Sequence, residues 1–344
     1  MAFLAIALGA AIAAPAAIAA PFTVAAPGIP SGLKHQISGL IARSGGAPPA
    51  TYSSAVTGWV AEVTWKALEI SPGQFDFRAI DQQIAAARSA GAHVKLRVMT
   101  GFDAPDWAKT LDGAPMNICN NDGPSLVCGT VGRFWRPNFK TAYGNLMAHL
   151  AATYDNVPEV EEVAITRCMT IYAEPMIREI SYSPNLQEYR NAGYNLPDDK
   201  KCQTDEIADH AVWKLTRSAL AFNPYQEVIV SGKKVVTATD EAYTEQLIDS
   251  CRKTLGARCV LGNNSLRDAP PLGPLYDALY AKIKAKGAPI YFQTAAAHRY
   301  TNLHAVLDAA IGYGAGMVEL PSDYQALTPS DLEAFAVRLR AQAL

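Results

Sequence analysis

The sequence predicts an α/β protein built as a single (β/α)₈ barrel. Three observations carry this. After residue 55, short β-branched runs alternate with helical stretches, which implies parallel strands joined by crossover helices. Counting a poorly defined first strand near residues 33–41, eight strands fit into about 310 residues, the arithmetic of a barrel rather than of two domains. Finally, no Gly-rich phosphate turn follows an early strand, as a doubly wound sheet would want.

The elements follow in order. Residues 55–64 (AVTGWVAEVT) read as a strand, and 77–90 as a helix closed by Gly91. Residues 93–99 (HVKLRVM) are the third strand. Residues 138–154 place Phe139, Tyr143, Leu146, Met147 and Leu150 on one helical face. The fourth strand is read over 160–172, ending at Ala173-Glu174-Pro175. A helix is expected over 206–222 and a fifth strand over 227–231 (EVIVS). Helices over 243–255, 275–286 and 303–312 then alternate with strands at 258–261, 289–294 and 316–320. The last helix is expected to start at Ser330 as N-cap, with Glu333 completing a capping box.

The N-terminus stands apart. No residue before Lys34 is charged, and Ala dominates the stretch. An apolar run from Phe3 to about Ile12, followed by Ala17-Ile18-Ala19, reads as a signal peptide over residues 1–19, with cleavage as late as about residue 26. Residues 27–344 are then the barrel. No basic residue precedes the apolar run, and a retained membrane anchor is the alternative; Pro15 and Pro21 suit a processing region better than a span. A secreted or periplasmic location follows, with no stable membrane span once the segment is removed. Six cysteines agree with an oxidising compartment. Cys119 and Cys128 flank an Asn-Asn-Asp-Gly-Pro loop, Cys251 and Cys259 are eight residues apart, and Cys168 and Cys202 remain; six cysteines allow 15 connectivities.

Composition narrows function. Lys and Arg number 30 against 32 Asp and Glu, a net charge of −2, which argues against a nucleic-acid partner. No Cys-x-x-Cys, His-Glu-x-x-His or Gly-x-Ser-x-Gly occurs, so zinc, metalloprotease and serine-hydrolase readings lose support, and no cofactor or metal is expected. A barrel carries its chemistry at the C-terminal ends of its strands. There the sequence offers Trp65, Glu69, Arg97, Asp103, Glu174, Ser231, Lys233, Asn263, Asn264, Gln293, Glu319 and Asp323. Acids and amides hydrogen-bond hydroxyls, and Trp107 adds an aromatic face, so the set suits a polyhydroxylated ligand.

Residues 58–107 resemble the second and third βα units of β-galactosidase-type (β/α)₈ glycoside hydrolases. The matching residues are Trp65, Leu68, Glu69, Pro72, Gly73, Phe75, Asp76, Phe77, Pro105 and Trp107, and residues 135–174 resemble the fourth unit. The resemblance implies a glycoside hydrolase acting on an oligo- or polysaccharide, with Glu174 as general acid/base. Two departures stand out. Ala173 replaces the Asn that usually precedes the acid/base, and Gln293 stands where the nucleophilic Glu is usual. Glu319 is therefore taken as the second carboxylate; a buried ion pair with Arg97 or Arg299 is its alternative. Trp65, Arg97, Asp103, Trp107, Lys233, Asn263 and Gln293 are the expected substrate contacts. For the tryptophans, Trp135 included, packing between barrel and helices is the competing role, and Glu69 is read as fixing its loop. Two rival functions remain: a non-catalytic carbohydrate-binding barrel, and a polysaccharide lyase using Tyr172, Tyr291 or Lys233.

Overall fold

A computed structural model describes residues 32–343, apart from 44, 45 and 270. The expected signal segment, including its cleavage site, lies outside the described residues. Eight parallel strands close into a barrel: β1 (Gly39–Ala42), β2 (Val56–Thr64), β3 (His93–Met99), β4 (Val160–Ala164), β5 (Arg217–Ala221), β6 (Cys259–Leu266), β7 (Ile290–Thr294) and β8 (Met317–Leu320). Each strand pairs with its neighbours in chain order, and β8 closes on β1.

Helices pack outside. The helix Pro137–Tyr154 buries Phe139, Tyr143, Leu146, Met147 and Leu150, the face its spacing marks. The helix Arg78–Ala90 ends on Gly91, whose φ of 60° is the left-handed conformation that glycine adopts without strain. The final helix, Pro329–Arg340, has its capping box two residues before the expected one. Thr328 is the N-cap and Asp331 its partner, with Pro329 in the first turn, where its missing N–H costs nothing.

Two strand assignments need correction. The fourth strand stops at Ala164, and residues 165–183 run as irregular chain, so Glu174 sits on a long loop rather than at a strand end. The fifth barrel strand is Arg217–Ala221, inside the stretch expected to be helical; the helix there is Leu196–Asp209. Residues Tyr225–Ser231 instead pair antiparallel with Lys234–Asp240 in a hairpin beside the barrel. The segment RSALA lacks β-branching and scores as helix by propensity. Small side chains suit its position, because Ala219 shares the buried layer inside the barrel with the large side chains of Tyr291 and Met317. The β-branched residues of the hairpin serve a strand outside the barrel, where Val228 is buried and Val230 and Val235 pack against the same cluster.

Inside the barrel, Ile37, Ile41, Val60, Ala219, Val260, Tyr291 and Met317 form an apolar layer. Inward positions nearer the C-terminal ends carry charge. Lys95 Nζ lies 2.8 Å from Glu319 and 3.6 Å from Glu162; Arg97 lies 2.6 Å from Glu319 and 3.5 Å from Glu62. Acid and base alternate from the buried interior up to the barrel mouth.

The six cysteines pair as Cys119–Cys128, Cys168–Cys202 and Cys251–Cys259. The first staples a hairpin of Met116–Asn120 and Val127–Val131, inserted after β3. The second ties the irregular chain after β4 to the helix Leu196–Asp209 and closes 34 residues. Loop-closure entropy gives this bond about 3–4 kcal/mol, so the Cys168→Ser, Cys202→Ser double variant is expected to lose that much in urea unfolding. Among the described residues no helix is long and apolar enough to cross a membrane.

Glu206, buried beside this disulfide, accepts a hydrogen bond from the Cys168 amide, while its Oε1 has no partner. Burial pushes its pKa from 4.5 up to about 8, despite that hydrogen bond and the opposing charges of Arg167 and Arg178. The folded chain therefore prefers the protonated acid. The stability this confers is full below pH 4.5 and is lost as pH climbs through 8. Glu206→Gln mimics the neutral form. It is expected to match the parent near pH 4 and to exceed it by a few kcal/mol at pH 9 in urea unfolding.

Candidate active site

At the C-terminal end of the barrel lies a pocket of about 1200 Å³. Its wall includes Glu62 from β2, Arg97 and Met99 from β3, Glu174 and Glu179 from the loop after β4, Asn264 from β6 and Gln293 from β7. The hairpin after β3 closes one side with Asn120 and Asp122, and Arg43, Arg267 and Arg299 complete the rim. Four carboxyl groups and four guanidiniums thus face a cavity large enough for several sugar units.

Glu174 is half-buried in this wall. Its Oε1 accepts hydrogen bonds from Ser265 Oγ (3.1 Å) and Asn223 Nδ2 (3.3 Å). Burial raises its pKa, and these two bonds together with the charges of Arg299 and Arg97 offset part of the rise. A carboxylic acid that holds its proton above the usual carboxylate range is what protonation of a leaving oxygen requires.

The supporting residues are amides. Asn223 follows β5, and its Oδ1 accepts from Asn263 Nδ2 (3.0 Å) and from Tyr276 (3.1 Å). Asn263 is fully buried and in turn accepts from the Tyr280 hydroxyl (2.8 Å). It therefore orients Asn223 rather than facing the pocket, which corrects its assignment as a substrate contact. Asn264 Nδ2 donates to the Ala173 carbonyl (2.9 Å), and its Oδ1 accepts from Tyr291 (3.0 Å). Asn223 thus places a buried amide against Glu174, outside the pocket lining. Asn223 and Ser265 escaped the sequence reading. With the fifth strand misplaced, Asn223 fell in a supposed helix-to-strand turn instead of at a strand end.

Glu319 does not reach the pocket. Its side chain has no exposed surface and lies between Lys95 and Arg97. Burial alone would raise its pKa, but Arg97 and Lys95 outweigh burial by charge and hydrogen bonding and hold it below the usual range. The expected second carboxylate is therefore the buried ion pair with Arg97, and its place under Arg97 fixes that guanidinium at the pocket floor.

Arg97 and Gln293 do line the pocket. The other expected contacts sit elsewhere. Trp65 is fully buried, donates to Glu69 Oε2 (2.8 Å) and packs edge-on against Trp107, Phe139 and Tyr143. Trp107 donates to the Glu69 carbonyl (3.2 Å). Glu69 Oε1 accepts from the Gly73 amide (2.8 Å), so Glu69 secures its own loop. Trp135 packs against Phe134 and Tyr194. Asp103 pairs with Lys66 at 2.8 Å outside the pocket wall. Lys233 is exposed in the turn of the hairpin beside the barrel, because the strand it was thought to end is not a barrel strand. Among the described residues no group of three or more His, Cys, Asp or Glu side chains is placed to hold a metal ion.

A closed parallel barrel with an acid-lined pocket over the ends of its strands defines a (β/α)₈ enzyme. The glycoside hydrolase 42 family model, described as beta-galactosidase, matches residues 54–174, spanning β2 to β4 and ending at Glu174. The match covers about a third of the chain, and with the fold it supports a (β/α)₈ glycoside hydrolase. No curated protein matches it significantly. A solved relative in fold is the catalytic domain of beta-amylase from Paenibacillus polymyxa. It aligns over 91% of this chain and 100% of its own at 11% identity, with a TM-score of 0.57.

Proposed function

We propose that this protein hydrolyses O-glycosidic bonds of an oligo- or polysaccharide outside the cytoplasm, with Glu174 as the general acid. The observation that carries the reading is the Glu174 carboxyl itself: on the pocket wall, biased toward its protonated form, and held by Ser265 and Asn223. The pocket also offers Gln293, Asn264 and Arg97 to sugar hydroxyls. Secretion is supported by the three disulfides, in line with residues 1–19 as a removable signal and 27–344 as one catalytic barrel.

Of the rivals, the lyase loses two of its three candidate bases. Lys233 is remote from the pocket, and Tyr291 is buried beneath Lys95, whose Nζ stands 3.3 Å from the ring centre. A binding barrel is favoured by one observation, the burial of Glu319. Screening the purified protein on aryl glycosides and polysaccharides, with Glu174→Gln alongside, decides between them. Release of reducing sugar by the parent and not by the variant supports hydrolysis. Saturable binding of a glycan with no cleavage in either supports the binding barrel.

A further inference from the structure

Hydrolysis at a glycosidic carbon needs a second carboxylate across the scissile bond from the acid, and Gln293 and Glu319 do not supply it. The pocket wall holds three other acids. Glu179 is buried, receives a 2.5 Å hydrogen bond from Asn120, and adopts a φ of 52° that is uncommon for a non-glycine residue. Burial pushes its pKa up to about 7, with Glu174's charge adding to the rise, and the side chain is almost wholly enclosed with one oxygen already held by Asn120. Asp122 lies in the exposed turn of the stapled hairpin, at the rim.

Glu62 differs from both. It belongs to β2, two residues beyond Val60 of the barrel's inner layer, so it points inward at the mouth. Its side chain is 48% exposed, and it pairs in register with Arg97, whose Nη1 is 3.5 Å from its carboxylate. Arg97 is itself clamped from below by Glu319. A rigid strand, an open pocket face and a fixed cationic neighbour are the conditions under which a carboxylate keeps its place. The two acids also sit in different environments: among the described residues Glu174 has no ion-pair partner, while Glu62 has one in Arg97. Divergent environments sort a carboxyl pair into acid and base.

We infer that Glu62 is the second catalytic carboxylate, acting as general base on water across the scissile bond from Glu174, an inference that rests on the glycosidase reading of the pocket. In the step, the bond from the anomeric carbon to the leaving oxygen breaks and that oxygen takes the Glu174 proton. Water oxygen bonds to the anomeric carbon, and its released proton goes to Glu62. Glu174 ends as the carboxylate and Glu62 as the acid; solvent carries one proton back to reset them. The anomeric configuration inverts.

The test uses Glu62→Ala and Glu62→Gln in the full chain. Both are expected to lose roughly 10³-fold in kcat/KM. Sodium azide should restore a substantial part of the E62A rate and yield a glycosyl azide of configuration opposite to the substrate; in E62Q the amide fills the space and azide has no effect. An E62A rate within tenfold of the parent, while E174Q is inactive, overturns the role of Glu62 and leaves the glycosidase reading standing. A folded E62A that loses activity without azide rescue makes Glu62 a mere support for Arg97, and also overturns it. If E62A does not fold, E62Q carries the test: loss in kcat with KM nearly unchanged supports the base, and loss confined to KM overturns it. A parent protein that cleaves no glycoside fails the underlying reading first.

Discussion

Glu174→Gln is expected to lower kcat/KM by roughly 10²–10⁴-fold on glycosides whose leaving groups need protonation. The amide preserves the shape of the carboxyl and can still accept from Ser265 and Asn223, so the loss isolates the proton. Activated aryl glycosides, whose phenolate leaves unaided, should lose far less. The pH profile carries the same information. Burial raises the pKa of Glu174, so the parent's rate should fall on the alkaline side only above the ordinary carboxyl value of 4.5. The variant should lack that limb. Equal losses across all leaving groups, with the limb intact, would assign the proton to another residue.

Glu319→Ala is expected to destabilise the fold by about 3–5 kcal/mol, the usual consequence of stranding buried charge. Lys95 and Arg97 are almost entirely enclosed, and Glu319 is the carboxylate in close contact with both. Glu162 is a weaker partner: its carboxylate lies 3.6 Å from Lys95, it is not paired with Arg97 among the described residues, and burial raises its pKa. Urea unfolding measures the loss directly. Activity should fall too, because Arg97 loses its support at the pocket floor. A Glu319→Ala protein of native stability that is inactive and regains activity with azide would restore Glu319 to the chemistry.

The barrel was legible where side chains obey one rule at a time. Strands such as HVKLRVM and PIYFQT are β-branched and buried, and Gly91 ends its helix in the conformation only glycine takes easily. The reading failed at RSALA, where small residues serve the crowded barrel interior and propensity points to helix. That one error displaced Lys233 into the site and hid Asn223. The stretch 165–172, expected to continue the fourth strand, misled differently. Its apolar residues are buried as loop, held by Cys168–Cys202 and by the Arg178–Asp199 pair, and no local periodicity records that. Glu174 reaches the pocket from the loop after β4 and not from the strand end at which it was expected, while Arg97 and Gln293 were picked out as residues near strand ends and do line it. Glu319 was found for the same reason and given the wrong task, since a sequence does not show that Lys95 and Arg97 converge on it. Trp65 and Trp107 marked the fold correctly through their packing on Glu69, while their exposure to a sugar could not be read from spacing.

Cleavage in water enriched in heavy oxygen tests the central claim most directly. With any glycan or aryl glycoside that the protein cleaves, mass spectrometry of the released sugar should show one heavy oxygen at the anomeric carbon, and Glu174→Gln should abolish its appearance. Cleavage that yields an unsaturated sugar with no heavy oxygen incorporated would contradict hydrolysis and make the protein a lyase.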